Sequence, residues 1–239
     1  MEEDVLTTPA GSAPLGKRVF AEPGQVLPER LRSAGFATTA APPPSSGWHL
    51  GLDQDGLVLR NREGAARFRP DAPPAARGRG PMAIARACGA RPGLTVLDAM
   101  AGWGADGLVL AGAGCTVTMT ESHPIVFAML VDLAERCAPH VRVQLEDARR
   151  LIPAGFDVVY LDPMFEPRRK TALPGKPMQV LRDIVGRDAP DLAETLALAR
   201  RHARERVVVK RHTHARAVGA PDWRIPGRTV RFDVYRPLT

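Results

Sequence analysis

The stretch VLDAMAGWGADG, residues 96–107, decides how the rest of the chain is read. It runs from an apolar strand through a glycine-rich bend into a helix. Gly102 and Gly104 permit a tight turn and close backbone approach by a ligand, as a nucleoside-binding crossover requires. Working outward, LTVLDAM (94–100), CTVTMTE (115–121), VRVQLED (141–147), FDVVYLDP (156–163) and ERVVVKR (205–211) read as strands. RTVRFDVYR (228–236) reads as a last, alternating strand at an antiparallel edge. Between them, 82–89, 105–112, 123–137, 179–186 and 192–204 read as helices; apolar residues at 126, 129, 130 and 133 carry the helical spacing of the third. Near-continuous apolar strands alternating with helices specify an α/β fold, a mostly parallel sheet covered on both faces.

Upstream the pattern loosens. Residues 1–15 read as a disordered tail and 16–75 as a small N-terminal subdomain, with a hairpin or a few short strands over 48–69 and turn signals at Asp53–Gly56. Residues 76–239 form the main domain, entered through a linker-like stretch holding Arg77, Gly78, Arg79 and Gly80. No apolar run approaches the roughly 18–20 residues of a membrane span, and the acidic N-terminus has no signal-peptide core. Cys88, Cys115 and Cys137 lack metal-ligand spacing and lie in apolar settings, so buried thiols in a reducing cytoplasm are expected. The net charge of +7 is uneven: residues 81–163 hold 6 basic and 9 acidic side chains, residues 164–239 hold 17 and 8. A slightly acidic middle beside a strongly basic last third fits a small-ligand site next to a polyanion-binding face.

Gly102, Gly104 and Gly107 match the dinucleotide fingerprint G-x-G-x-x-G. Asp106, however, sits in the first turn of the following helix, where a diphosphate would be repelled. A carboxylate there suits a cationic ligand, such as the sulfonium and amino groups of S-adenosyl-L-methionine, and Asp98 adds a second acceptor. The simpler alternative is a tight turn with Asp106 serving the helix dipole. Glu121 ends the next strand, where an acidic side chain binds ribose hydroxyls in doubly wound folds. Asp147 ends the third strand and is placed to accept from an adenine amino group or to cap a helix.

VVYLDPMFEPRRK (158–170) delivers Asp162 to the carboxyl end of the sheet. Asp-Pro-x-aromatic resembles the D/N-P-P-Y/F motif of methyltransferases acting on exocyclic amines. The lone pair of such an amine is delocalised into the ring. Asp162 and the carbonyl of Pro163 can accept its two hydrogens and orient that lone pair, while Phe165 stacks on the extruded base, worth about 1–3 kcal/mol. The alternative is a plain strand-end turn with Phe165 in the core. Arg168, Arg169 and Lys170 follow, and Lys210 and Arg211 end a later strand at the same sheet edge, positions suited to RNA phosphates.

VLDAMAGWGADGLVLAGAGCTV, VVYLDPMFEPRRKTAL and ERVVVKR, in this order and spacing, resemble the ribosomal RNA small subunit methyltransferase J family over roughly residues 65–239. The resemblance implies a class I S-adenosylmethionine-dependent methyltransferase fold, Rossmann-like with a seven-stranded sheet. It implies N2-methylation of a guanosine near the 3′ end of 16S rRNA. The family's cofactor contacts fall on Ala105, Asp106, Glu121, Ser122, Arg149, Arg150 and Asp162. Ala105 and Ser122 stand where the family usually has Arg, and Arg149 and Arg150 where it often has small hydroxyl residues. The expected partner is 16S rRNA or the small ribosomal subunit, with no metal and no membrane, and the expected state is a cytoplasmic monomer. Three alternatives stay open: another amine or amide as target, a non-catalytic rRNA-binding factor, and an NAD-dependent oxidoreductase, which Asp106 disfavours.

Overall fold

The computed structural model describes residues 15–61, 66–73, 83–164, 175–186 and 191–238. The chain divides into two units, one ending at Arg69 and one beginning at Pro70.

The first unit holds β1 (Arg18–Phe20), α1 (Glu29–Ser33), β2 (Ala37–Thr39), β3 (Trp48–Asp53), β4 (Gly56–Asn61) and β5 (Ala66–Phe68), in one sheet of order β2-β1-β3-β4-β5. The stretch 48–69 holds both expected forms, a hairpin β3–β4 with Asp53 paired to Gly56 across its turn and the further short strand β5. The Asp53 side chain accepts the Asp55 N–H at 3.0 Å, an aspartate turning the chain through its own backbone. Val19, Leu31, Leu50, Leu57, Leu59 and Phe68 are buried in this unit.

The second unit holds α2 (Ala83–Cys88), β6 (Thr95–Asp98), α3 (Ala105–Gly112), β7 (Thr116–Glu121), α4 (Pro124–Cys137), β8 (Arg142–Leu145), α5 (Ala148–Leu151), β9 (Val158–Leu161), α6 (Lys176–Val185), α7 (Leu192–His202), β10 (Arg206–His212), β11 (Trp223–Pro226) and β12 (Val230–Tyr235). Its sheet runs β11-β12-β10-β9-β6-β7-β8, and β12 is antiparallel to both of its neighbours. All pairs from β10 to β8 are parallel. The sheet order reverses direction at β6, the place where open α/β folds bind ligands.

The strands are buried on both faces because successive side chains alternate. Val158 and Tyr160 pack with Ile84, Leu108 and Leu130 from α2, α3 and α4, while Val159 and Leu161 pack with Ala148, Leu196 and Ala199 from α5 and α7. Each large apolar side chain so buried contributes about 1.5–3 kcal/mol. At the amino end, Asp157 accepts from the Thr95 backbone N–H (2.9 Å) and hydroxyl (2.7 Å), which locks β6 to β9 in register. Asp98 is thereby set opposite Tyr160.

Two expectations need correction. β12 is not the edge: Val230–Tyr235 is covered by the outer strand β11, which the sequence pattern does not reveal. The polar residues of β12 are buried because they satisfy each other; Arg231 Nε donates to Asp233 at 2.8 Å, and its other nitrogens donate to the carbonyls of His212, Thr213 and Ala215. Cys88 and Cys115 are buried as expected, but Cys137 is exposed, because it is the final residue of α4. Of the expected tail (1–15), residues 1–14 lie outside the described residues, as does the Arg77–Gly80 stretch, and Leu15 begins a short helical turn (Leu15–Lys17).

Candidate active site

Residues in the carboxyl-terminal parts of β6, β7, β9 and β10, and others that follow β6 to β9, enclose a cleft of about 570 Å³, within the usual range for small-molecule sites. Its floor follows from strand alternation. Asp98, Tyr160 and Lys210 share the parity of Val96, Val158 and Val208, so they face α3, which carries Asp106. Tyr160 donates its hydroxyl to Asp106 Oδ2 at 2.6 Å. The Lys210 ammonium donates to Asp106 Oδ2 at 2.7 Å and to Asp162 Oδ2 at 2.9 Å. Three carboxylates and one ammonium thus crowd one end of the sheet.

Burial sets their protonation. Asp98 is 1% exposed, and desolvation, followed by the nearby charges of Asp106 and Asp162, pushes its carboxyl well above the usual range. Burial also raises Asp162 to about 6, with Lys210 opposing the rise and Asp106 adding to it. Burial works against the Lys210 charge, but Asp162 and Asp106 outweigh it and hold the ammonium protonated. Burial, Asp162 and Asp106 together keep Tyr160 protonated, a donor only to its acid partner.

The glycine bend supports this floor in two ways. Gly104 has φ +78° and caps α3; a Cβ there would stand 2.4 Å from Leu130 Cδ1. A Cβ on Gly107 would stand 2.8 Å from Asp98 Oδ2 and from Met119 Cε, so the carboxylate fits only against a bare helix backbone. On the β7 side, Glu121 is held by the N–H groups of Gly102 (3.2 Å) and His123 (2.8 Å), one on each carboxylate oxygen. Burial still raises its carboxyl above the ordinary value. Asp147 caps α5, accepting the Arg149 N–H at 2.9 Å. The Arg149 side chain also embraces Asp147, and this bond is the main reason its carboxyl falls below the usual range.

Of the residues singled out from sequence, Asp98, Gly102, Ala105, Asp106, Glu121, Ser122, Asp147, Arg149, Asp162, Pro163 and Lys210 line the cleft. Gly104 does not: it backs onto Leu130, beneath the bend. Arg150 does not either; its side chain is 77% exposed and pairs with Glu146. Lys210 faces carboxylates inside the cleft rather than an outer phosphate surface. The guanidinium of Arg211 donates to the Arg216 carbonyl at 2.8 Å. Phe165, Arg168, Arg169 and Lys170 lie outside the described residues. The sequence reading missed Tyr160, whose only signal is a phenol inside an otherwise aliphatic strand. It also missed the wall from α6, where Met178, Leu181 and Val185 face the cleft. Trp103 holds that helix in place by donating from Nε1 to the Pro177 carbonyl at 2.8 Å.

A family model for putative SAM-dependent methyltransferases matches residues 54–237. A ribosomal RNA small subunit methyltransferase J of Marinobacter nauticus is 45% identical over 170 residues, 64% of this chain and 61% of that one. The protein of the same name from Legionella pneumophila (strain Corby) is 38% identical over 165 residues, 64% of this chain and 68% of that one. The chain belongs to the ribosomal RNA small subunit methyltransferase J family. It spans about three fifths of the length of the first of these relatives. A crystal structure of a SAM-dependent methyltransferase from Neisseria gonorrhoeae superposes with a TM-score of 0.67 at 29% identity, covering 92% of this chain and 96% of that one.

The residues present fit the cofactor of this family. Asp98 Oδ1 is buried and has no hydrogen-bond partner, an acceptor left open for a ligand's donor. Asp98 and Asp106 suit an amino or sulfonium charge, Glu121 suits ribose hydroxyls, and Asp147 suits an adenine amino group.

Proposed function

We propose that this chain transfers a methyl group from S-adenosylmethionine to N2 of a guanosine in small-subunit (16S) ribosomal RNA. When bound, that cofactor supplies an electrophilic methyl group on a sulfonium sulfur. The chain's own residues do the rest. Asp98, Asp106, Glu121 and Asp147 hold the cofactor against the glycine bend. Asp162 and the Pro163 carbonyl orient the amine, and Arg211 with the basic segment after Pro163 draws in phosphates.

The observation that carries the reading is Asp162. Its side chain remains 27% exposed while its Oδ2 is tied to Lys210. Above a pH of about 6 it is ionised and therefore accepts hydrogen bonds without donating any. The Watson–Crick edge of guanine offers adjacent N1–H and N2–H donors, which a carboxylate can receive together. Adenine offers one donor beside a ring acceptor, which a carboxylate repels and an amide would match. The same acceptor-only character supports guanine over adenine as the target.

Purified protein, methyl-labelled cofactor and rRNA lacking base methylation test this directly. Label recovered as N2-methylguanosine is expected. Label recovered as N6-methyladenosine would move the target to adenine. No label from folded, cofactor-bound protein would leave only an rRNA-binding role.

A further inference from the structure

Lys210 is unusual for its strand. Val207, Val208 and Val209 of β10 are fully buried, and an aliphatic side chain would continue their packing. A lysine that is only 22% exposed instead brings a charge to the floor of the cleft, which is costly unless that charge is paired. It is paired twice, with Asp106 from α3 and with Asp162 beyond β9.

We propose that Lys210 is the positioning residue of this site: its ammonium grips Asp162 by Oδ2, braces it against Asp106, and leaves Oδ1 turned to the amine. This rests on the reading of Asp162 as the acceptor of the target amine. The groups facing Asp162 are Lys210 of β10, Asp106 of α3, Asp98 of β6 and Tyr160 of β9. Arg182 of α6, Arg149 of α5, Glu121 of β7, and Glu146 and Asp147 after β8 line the rest of the cleft. Among the described residues that face Asp162, Lys210 is the single cation. Without it, Asp162 would stand beside the like charge of Asp106 in a largely buried place and would take up a proton. A protonated carboxyl presents a hydroxyl donor, which clashes with the donor edge of guanine. Lys210 therefore sets both the direction of the acceptor and the pH range in which it works.

The role separates from simple structural support by pH. In wild type, kcat at saturating cofactor and RNA is expected to fall on the acid side near pH 6. Lys210→Met should move that limb up by about one to three pH units, the usual effect of an opposite charge at this range. Its deficit against wild type at pH 7 should then be about twofold for a move of one unit, about tenfold for two and near a hundredfold for three, and should shrink as pH rises, since the ionised fraction falls about tenfold per pH unit below the midpoint. Lys210→Arg should restore most of the limb. Asp106→Asn removes a like charge and should move it the opposite way, to lower pH.

A second readout needs no activity. In cofactor-free protein labelled at the aspartate carboxyl carbon, the Asp162 resonance is identified by its loss in Asp162→Asn and followed by NMR against pH. Its midpoint should rise in Lys210→Met and fall in Asp106→Asn; should Lys210→Met not fold, the fall in Asp106→Asn carries the test. Midpoints that stay in place, or kcat lowered by one constant factor at every pH, would overturn the proposal. If the midpoints move but wild type methylates no guanosine, Lys210 keeps its role and the substrate reading falls. If guanosine is methylated and the midpoints do not move, the reverse holds.

Discussion

Asp147 and Asp162 occupy matching places. Each lies within two residues of the end of a parallel strand, β8 and β9, and each lines the same cleft. Their chemistry is nevertheless opposite. Asp147 is 38% exposed, caps a helix and is embraced by an arginine, so its carboxyl is depressed. Asp162 is 27% exposed, shares one lysine with Asp106, and is raised by its burial to about 6. A strand-end aspartate therefore has no fixed character. Its neighbours decide whether it stays an anion down to low pH or becomes an acceptor whose charge is tunable near neutrality.

The sharpest way to break this contrast is Asp162→Ala. It should lower kcat by about 10²–10³, the usual cost of removing one aligned polar group from a reacting centre, while leaving cofactor affinity largely intact by calorimetric titration. A comparable loss of cofactor binding would place Asp162 in the same role as Asp147.

Next in size is Gly107→Ala. Its methyl would press on Asp98 Oδ2 and Met119 Cε at 2.8 Å, and overpacking of this kind costs about 1–3 kcal/mol. Urea unfolding should show an earlier midpoint together with weaker cofactor binding.

The pH dependence of stability should have opposite signs at the two aspartates. Asp162 has a raised carboxyl, so its contribution to stability is complete below the unfolded value, near 4, and is lost as pH rises through about 6. Asp162→Asn should therefore gain on wild type in unfolding temperature as pH rises across that window. Asp147 has a lowered carboxyl, so its contribution is present above the unfolded value and is lost as pH falls through the folded one. Asp147→Asn, which keeps the cap, should cost stability at neutral pH and approach wild type in acid. If both variants moved with pH in the same direction, the contrast would be wrong.

Arg149→Ala should have the smallest effect. Arg149 and Asp147 are 44% and 38% exposed, so solvent screens their pairing and it adds little to stability. The Asp147 carboxyl should rise toward its ordinary value by NMR titration, with little change in thermal unfolding.

Much of the fold was legible because a parallel strand buried on both faces must be apolar throughout. VVYL of β9 shows this, with all four residues fully buried. β11 was not legible. Trp223–Pro226 alternates weakly and ends in proline, and it becomes a strand only by pairing with β12. The interior place of β12 was hidden for a related reason. Arg231 and Asp233 look like surface residues until each is seen to neutralise the other.

The cleft divides the same way. The glycine bend, Glu121 and Asp162 could be found from sequence, since backbone freedom and strand ends are local properties. The partners of Lys210 could not. Read along the chain, Lys210 belongs to a basic run at a strand end and looks like a phosphate contact. Asp162 and Asp106 lie 48 and 104 residues away from it. Sequence alone determined which side chains reach the carboxyl edge of the sheet, because alternation along a strand is fixed by backbone geometry. Only the tertiary structure decided which charges meet there, because electrostatic coupling depends on distance through space and on exclusion of water, and neither is written in the order of residues.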